Sequence, residues 1–172
     1  DTIIDLRSDT VTKPTRKMRE AMMNAEVGDD CHGEDPTVHR LELLAAEKIG
    51  KPAAVYVPSG TMGNTAAILS HTHSGDYAIM DSACHIYCFE HGNVSSLAGI
   101  MPILTDSDDG VPDTDVVASY LQRDAAKFPR ISLICLENTH NRRGGRAASL
   151  DRMQAIHTLA QQYTVPVHLD GA

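Results

Sequence analysis

The chain has 172 residues, enough for one domain with a real core, and 42% of them are hydrophobic, an ordinary fraction for a globular protein. Its 23 acidic residues outnumber 15 basic ones, giving a formal charge of −8, and no basic run exceeds Arg142-Arg143, so nucleic acid is not an expected partner. No apolar run is long enough to cross a bilayer, and the opening Asp1-Thr-Ile-Ile-Asp-Leu-Arg7 lacks the basic-then-apolar layout of a secretory leader, so the expectation is a cytoplasmic protein without a membrane partner.

In chain order, Lys13-Pro14 is expected to open a helix running to about Ala25, with Thr12 or Lys13 at its cap and Pro14 in its first turn, where the missing N–H costs nothing. After the polar stretch Gly28–Glu34, Asp35-Pro36 repeats the start signal. Val38, Leu41, Leu44, Ala45 and Ile49 then recur at helical spacing until Gly50. From there the pattern alternates between strand and helix: strand 53–57 and helix 61–71; strand 77–80 and a short helix near 87–91; strand 101–105 and helix 114–123; strand 131–136 and helix 150–163; and a last strand at 165–169. Alternation of this kind predicts an α/β fold, a mostly parallel sheet covered by helices on both faces. Cys31, Cys84, Cys88 and Cys135 show no disulfide-scaffold spacing and are read as free thiols.

In such a sheet, ligands bind outside the carboxyl ends of the strands. Groups of chemical interest follow the predicted strands there. Pro58-Ser59-Gly60-Thr61-Met62-Gly63-Asn64 opens a helix with two hydroxyls and free backbone amides, a natural anion site. It lacks the Walker Gly-Lys-Ser/Thr and the dinucleotide Gly-x-Gly-x-x-Gly, and a plain capped helix start is the competing reading. Asp81-Ser-Ala-Cys-His85 supplies an imidazole, Glu137-Asn-Thr-His140 a carboxylate and a second imidazole, and Asp170 a final carboxylate. Each has an ordinary reading as well, as a turn or cap residue. The run Cys84, His85, Cys88, His91 does not have the spacing of a zinc finger or ribbon, so no metal is expected.

Asp5-Leu-Arg-Ser-Asp-Thr-Val-Thr-Lys-Pro14, Val27-Gly-Asp-Asp30 with Gly33-Glu-Asp-Pro36, Pro58-Ser-Gly-Thr-Met62, His85-Ile-Tyr87, Leu136-Glu-Asn-Thr-His-Asn141 and His168-Leu-Asp-Gly-Ala172 together resemble the low-specificity L-threonine aldolases of the β-eliminating lyase superfamily. The resemblance covers the whole chain, in the family's motif order. It implies a pyridoxal-phosphate enzyme of the aspartate-aminotransferase fold type, cleaving L-threonine or L-allo-threonine to glycine and acetaldehyde. It also implies a homotetramer built as a dimer of dimers.

By the same resemblance, Ser59, Gly60 and Thr61 would hold the cofactor phosphate, His85 would stack on the pyridine ring near the substrate hydroxyl, and Asp170 would pair with the pyridinium nitrogen. Ser8 would bind the substrate carboxylate and His140 would lie near the β-hydroxyl. Glu90 and Glu137 are further site candidates. The base that takes the hydroxyl proton stays open among His85, His140, water and the cofactor phosphate. The family's Schiff-base lysine is expected beyond the Asp-Gly-Ala motif, and Lys13, Lys17, Lys48, Lys51 and Lys127 match no such position.

The expected organisation is an N-terminal helical arm and segment over residues 1–50 and an incomplete cofactor-binding large domain over 51–172, without the small C-terminal domain. Where many bacterial members of the family have a shorter glycine-lysine turn, this chain has Asn141-Arg-Arg-Gly-Gly-Arg146. The alternatives are a related β-eliminating lyase, another 3-hydroxy-amino-acid aldolase, or an inactive phosphate-binding or oligomerisation fragment.

Overall fold

The computed structural model describes residues 3–171, and the chain divides between Pro58 and Ser59 into two units. In the first unit, helix α1 spans Arg16–Met23 and helix α2 spans Pro36–Ile49. Asp35 caps α2 by accepting the amides of Thr37 and Val38, both at 2.9 Å, with Pro36 in the first turn and Gly50 closing the helix at φ 68°. Helix α1 starts two residues later than the sequence suggests. Thr15, not Thr12 or Lys13, is its cap, and Thr15 Oγ1 accepts the Met18 amide. Pro14 therefore lies before the helix.

The strand expected over 53–57 does not form. A strand exists through its ladder, and an apolar run supplies only half of one. Here the Tyr56 amide donates to the Glu42 side chain at 2.8 Å, and Val55 and Tyr56 are exposed.

The second unit holds helix α3 (Gly60–His71), strand β1 (Tyr77–Asp81), the short helices α4 (His85–Cys88) and α5 (Asn93–Ser96), strand β2 (Met101–Thr105), helix α6 (Thr114–Leu121), strand β3 (Ile131–Glu137), helix α7 (Leu150–Gln162) and strand β4 (Val167–Asp170). The four strands are all parallel, in the order β2-β1-β3-β4. The short helix expected near 87–91 lies instead at 85–88, where the Glu137 carboxylate accepts the amide of its first residue, His85.

Side chains alternate across each strand, which divides the core into two layers. Ala78, Met80, Leu133 and Cys135 face Ile68 of α3, Ile86 of α4 and Val94 of α5. Ile79, Ile103, Ile134 and Leu136 pack with Val117 of α6 and with Ile156 and Ala160 of α7. Strands buried on both faces read as continuous apolar runs rather than alternating ones, as Ile131–Leu136 does. The sheet thereby aligns its carboxyl ends: Asp81 is in register with Thr105, and Glu137 with Asp170.

Ile134 is fully buried in the second layer. Ile134→Ala should cost about 2–5 kcal/mol of stability in the full-length protein, through lost burial and the residual cavity. Denaturant titration measures this, and a loss below about 1 kcal/mol would contradict the assigned core.

Candidate active site

The carboxyl edge of the sheet carries a buried polar cluster centred on Asn64, one turn into α3. Asn64 Nδ2 donates to Glu90 Oε1 at 2.8 Å and to Asp170 Oδ2 at 3.0 Å, while Asn64 Oδ1 lies 2.8 Å from His168 Nε2. Glu90 Oε1 also meets His85 Nδ1 at 2.9 Å. His85, Glu90 and Asp170 each place a donor atom within 4.8 Å of the others, and the Asn64 amide bridges the two carboxylates. Glu90 is 1% exposed and its Oε2 has no partner, so this oxygen is a buried acceptor available to a donor at the site.

Local sequence explains how these groups arrive. Ser59 caps α3 and accepts the Met62 amide at 3.2 Å. The amides of Gly60 and Thr61, in the first turn, have no acceptor within the helix. A Cβ at Gly60 would meet nothing within 4 Å, so an anion has room to approach. Asp170 is held at the end of β4, where its carbonyl accepts the Asn138 amide at 2.9 Å. Glu137 fixes the entry to α4: its Oε2 accepts the His85 amide at 2.6 Å, and its Oε1 accepts the Asn141 amide at 2.9 Å.

Of the residues singled out in the sequence, His85, Glu90 and Asp170 come together, Glu137 supports them, and Ser59, Gly60 and Thr61 form the start of the helix that carries Asn64. Ser8 lies in the first unit, capping a short 3-10 turn in which its Oγ accepts the Thr10 amide at 3.2 Å. His140 is placed differently from the expectation of a group beside a substrate hydroxyl. Its ring is fully buried, with Nε2 3.2 Å from Asp81 Oδ1 and Nδ1 3.8 Å from Glu137 Oε1. Neither nitrogen has a hydrogen-bond partner. Gly110 packs so closely that a Cβ there would lie 2.0 Å from His140 Cδ2, and its φ of +80° also favours glycine.

Asn64 and His168 were not assigned roles from sequence, although both stand inside quoted motifs. The signal for Asn64 was a polar residue on the inward face of an apolar helix, since it is buried alongside Ile68. A second unassigned group is Arg143, whose Nη2 donates to both oxygens of Asp81, at 3.1 and 2.9 Å, and to Asp106. The thiols take no part: burial pushes Cys84 up to about 12 and Cys135 higher still, so both stay protonated and weakly nucleophilic.

Burial holds the His168 imidazole below its ordinary value of 6.5, with the nearby Asp170 charge opposing that shift. The folded state therefore binds its proton less readily than the unfolded chain does. Its contribution to stability is present above pH 6.5 and is lost as pH falls through the depressed folded value. His168→Gln, which keeps a donor for Asn64 but does not titrate, should flatten the loss of stability below about pH 6.5; urea midpoints across pH test this.

Comparison with known proteins identifies the family and the fold. The family model for the beta-eliminating lyases matches residues 5–172. Low-specificity L-threonine aldolase 1 of Arabidopsis thaliana is 43% identical over 173 aligned positions, covering 98% of this chain and 48% of the relative. The low specificity L-threonine aldolase of Escherichia coli K12 is 43% identical over 171 positions, covering 99% and 50%. The chain thus spans about half the length of these curated relatives. Among solved structures, the threonine aldolase of Leishmania major superposes with a TM-score of 0.73 at 18% identity, covering 89% of this chain and 44% of that one, a likeness of fold. With the match extending over nearly all of its length, the chain belongs to the beta-eliminating lyase family.

Proposed function

We propose that the full-length protein carrying this chain is an aldehyde-lyase that cleaves L-threonine or L-allo-threonine to glycine and acetaldehyde. Enzymes of this family and fold depend on pyridoxal phosphate. The observation that carries the reading is the meeting of Asp170, His85 and Glu90 at the carboxyl edge of the sheet through Asn64, in a chain 43% identical to threonine aldolases.

The residues present fit the cofactor. The open α3 amides at Gly60 and Thr61, with the Ser59 and Thr61 hydroxyls, suit a phosphate dianion at a helix N-terminus. Asp170 suits a protonated ring nitrogen, because a carboxylate favours the charged form of a neighbouring cation. When bound, the cofactor supplies an electron sink for the pair released as the Cα–Cβ bond of the substrate breaks. Asp170 keeps the sink effective by holding the ring protonated, and Asn64 and the β4 backbone hold Asp170 in place. His85, with a side chain 42% exposed, supplies a flat face for the ring and a nitrogen toward the substrate hydroxyl. Ser8 is assigned to the substrate carboxylate. His140, buried beneath Gly110, is assigned to the protein scaffold behind Glu137.

A cytoplasmic homo-oligomer acting in threonine breakdown and glycine supply completes the proposal. Four free cysteines suit a reducing compartment. The exposed Ile3, Ile4, Leu6, Met18, Met22 and Met23 of the first unit suit coverage by further protein. Among the described residues, no helix is long and apolar enough to cross a membrane.

The direct test incubates the full-length protein and pyridoxal phosphate with each threonine diastereomer and quantifies glycine and acetaldehyde. Pyruvate and ammonia would instead identify an eliminating lyase. Asp170→Asn should retain part of the cofactor, seen by its absorbance, while turnover falls by at least about 10²-fold, because a neutral amide cannot stabilise the ring charge. Near-normal turnover with cofactor bound would refute the role of Asp170.

A further inference from the structure

The hydrogen bonds beneath His85 assign its tautomer. Carboxylates only accept, so the Asn64 amide nitrogen must face Glu90 and Asp170 and its carbonyl must face His168. The orientation of Asn64 is therefore set by chemistry and does not depend on telling oxygen from nitrogen. Glu90 Oε1 already accepts from Asn64, and the same oxygen lies 2.9 Å from His85 Nδ1. With Oε1 an acceptor, Nδ1 is the donor. Among the described residues no group engages His85 Nε2, and the ring is 42% exposed above a carboxylate that is 1% exposed.

We propose that Glu90 is a positioning residue: its Oε1 holds His85 as the Nδ1–H tautomer, leaving Nε2 as the only ring nitrogen able to take a proton from the substrate hydroxyl. The last clause rests on the threonine-aldolase reading; the tautomer does not. A neutral histidine side chain in water favours the opposite form, with the proton on Nε2, so without its buried acceptor the ring would present a donor where the reaction needs an acceptor. The device matches the general rule that the hydrogen bond at one imidazole nitrogen decides the function of the other. The step balances simply. The hydroxyl proton would move to Nε2, the O–H electron pair would become the second bond of the aldehyde, and the Cα–Cβ pair would pass to the electron sink that bound pyridoxal phosphate supplies. The imidazolium formed is stabilised by the carboxylate behind it and returns its proton at Cα or to water.

Two variants separate acceptor from charge. Glu90→Gln keeps a carbonyl oxygen for Nδ1–H and Asn64, whereas Glu90→Leu keeps the volume and removes the acceptor. The measurement is the ¹⁵N chemical shifts of the ring nitrogens in histidine-labelled full-length holoenzyme without substrate, with His85 assigned by its loss in His85→Gln. Wild type and Glu90→Gln should show Nδ1–H with a bare Nε2, and Glu90→Leu should revert to the form with Nε2–H dominant. With threonine, Glu90→Leu should lose about 10²-fold in kcat, the usual size of a lost general base, at little-changed KM, and Glu90→Gln should lose less than Glu90→Leu, because it keeps the tautomer and gives up only the charge behind the imidazolium.

An Nε2–H tautomer in wild type, or an unchanged Nδ1–H in folded Glu90→Leu, overturns the proposal. If Glu90→Leu does not fold, the wild-type spectrum decides alone. A wild-type Nδ1–H signature in a protein that does not cleave threonine would overturn the functional reading while leaving the tautomer assignment standing.

Discussion

The Asn64 carboxamide ties the site together because one side chain satisfies three residues from two separate parts of the chain. It reaches Glu90 after α4, Asp170 at the end of β4 and His168 within β4, all from α3. Two carboxylates this close would repel across a low-dielectric interior if nothing lay between them. A neutral donor shared between them lowers that cost without cancelling either charge. A lysine in its place would form ion pairs and quench the field that Asp170 is proposed to direct at a cofactor, and a leucine would leave buried acceptors unpaired. Placement of the reactive groups therefore depends on an uncharged residue.

The rest of the fold delivers groups to that residue. Parallel strands put all their carboxyl ends on one side, and the register brings Glu137 beside Asp170. Glu137 then orients the start of α4, and with it His85, through a backbone amide. Both core layers are needed: α3, α4 and α5 on one face carry the polar cluster, and α6 and α7 on the other hold the strands in place.

Much of this was legible in the chain. The β1, β2 and β3 segments, and helices α2, α3 and α7, follow from apolar runs, periodicity and capping residues whose causes are local. The 53–57 segment misled because its apolar character says nothing about whether a partner strand lies alongside, and Glu42 satisfies the Tyr56 amide instead. The site divides in the same way. Asp170, His85 and Ser59 announce themselves by chemistry at the ends of elements. Asn64 and Glu90 acquire meaning only when partners 106 and 26 residues away are brought to them, and no local pattern encodes such distances. The burial of His140 is likewise not legible locally, since a motif position beside a strand end does not reveal that Gly110 packs against the ring.

The arginine-rich stretch after β3 is tied into the carboxyl edge of the sheet. Arg143 meets Asp81 at the end of β1 and Asp106 after β2, and Arg146 donates to the Asp108 carbonyl at 3.1 Å. The His140 amide donates to the Arg146 carbonyl at 2.9 Å, and the Ala148 amide donates to Asn138 Oδ1 at 3.0 Å. Asp81 is almost fully buried; the Ala83 amide donates to its Oδ1 at 2.9 Å, and Arg143 supplies its ion pair. An unpaired carboxylate at that depth is among the costlier defects a core can hold. Arg143 removes that defect and pins the loop at once, and the pinned loop presents the Asn141 amide to Glu137. Glu137 is the same carboxylate that orients His85, so the loop connects to the proposed active site through one shared acceptor. The arginines therefore bear on the geometry of the site from its periphery, with Arg143 itself bound to Asp81 and Asp106.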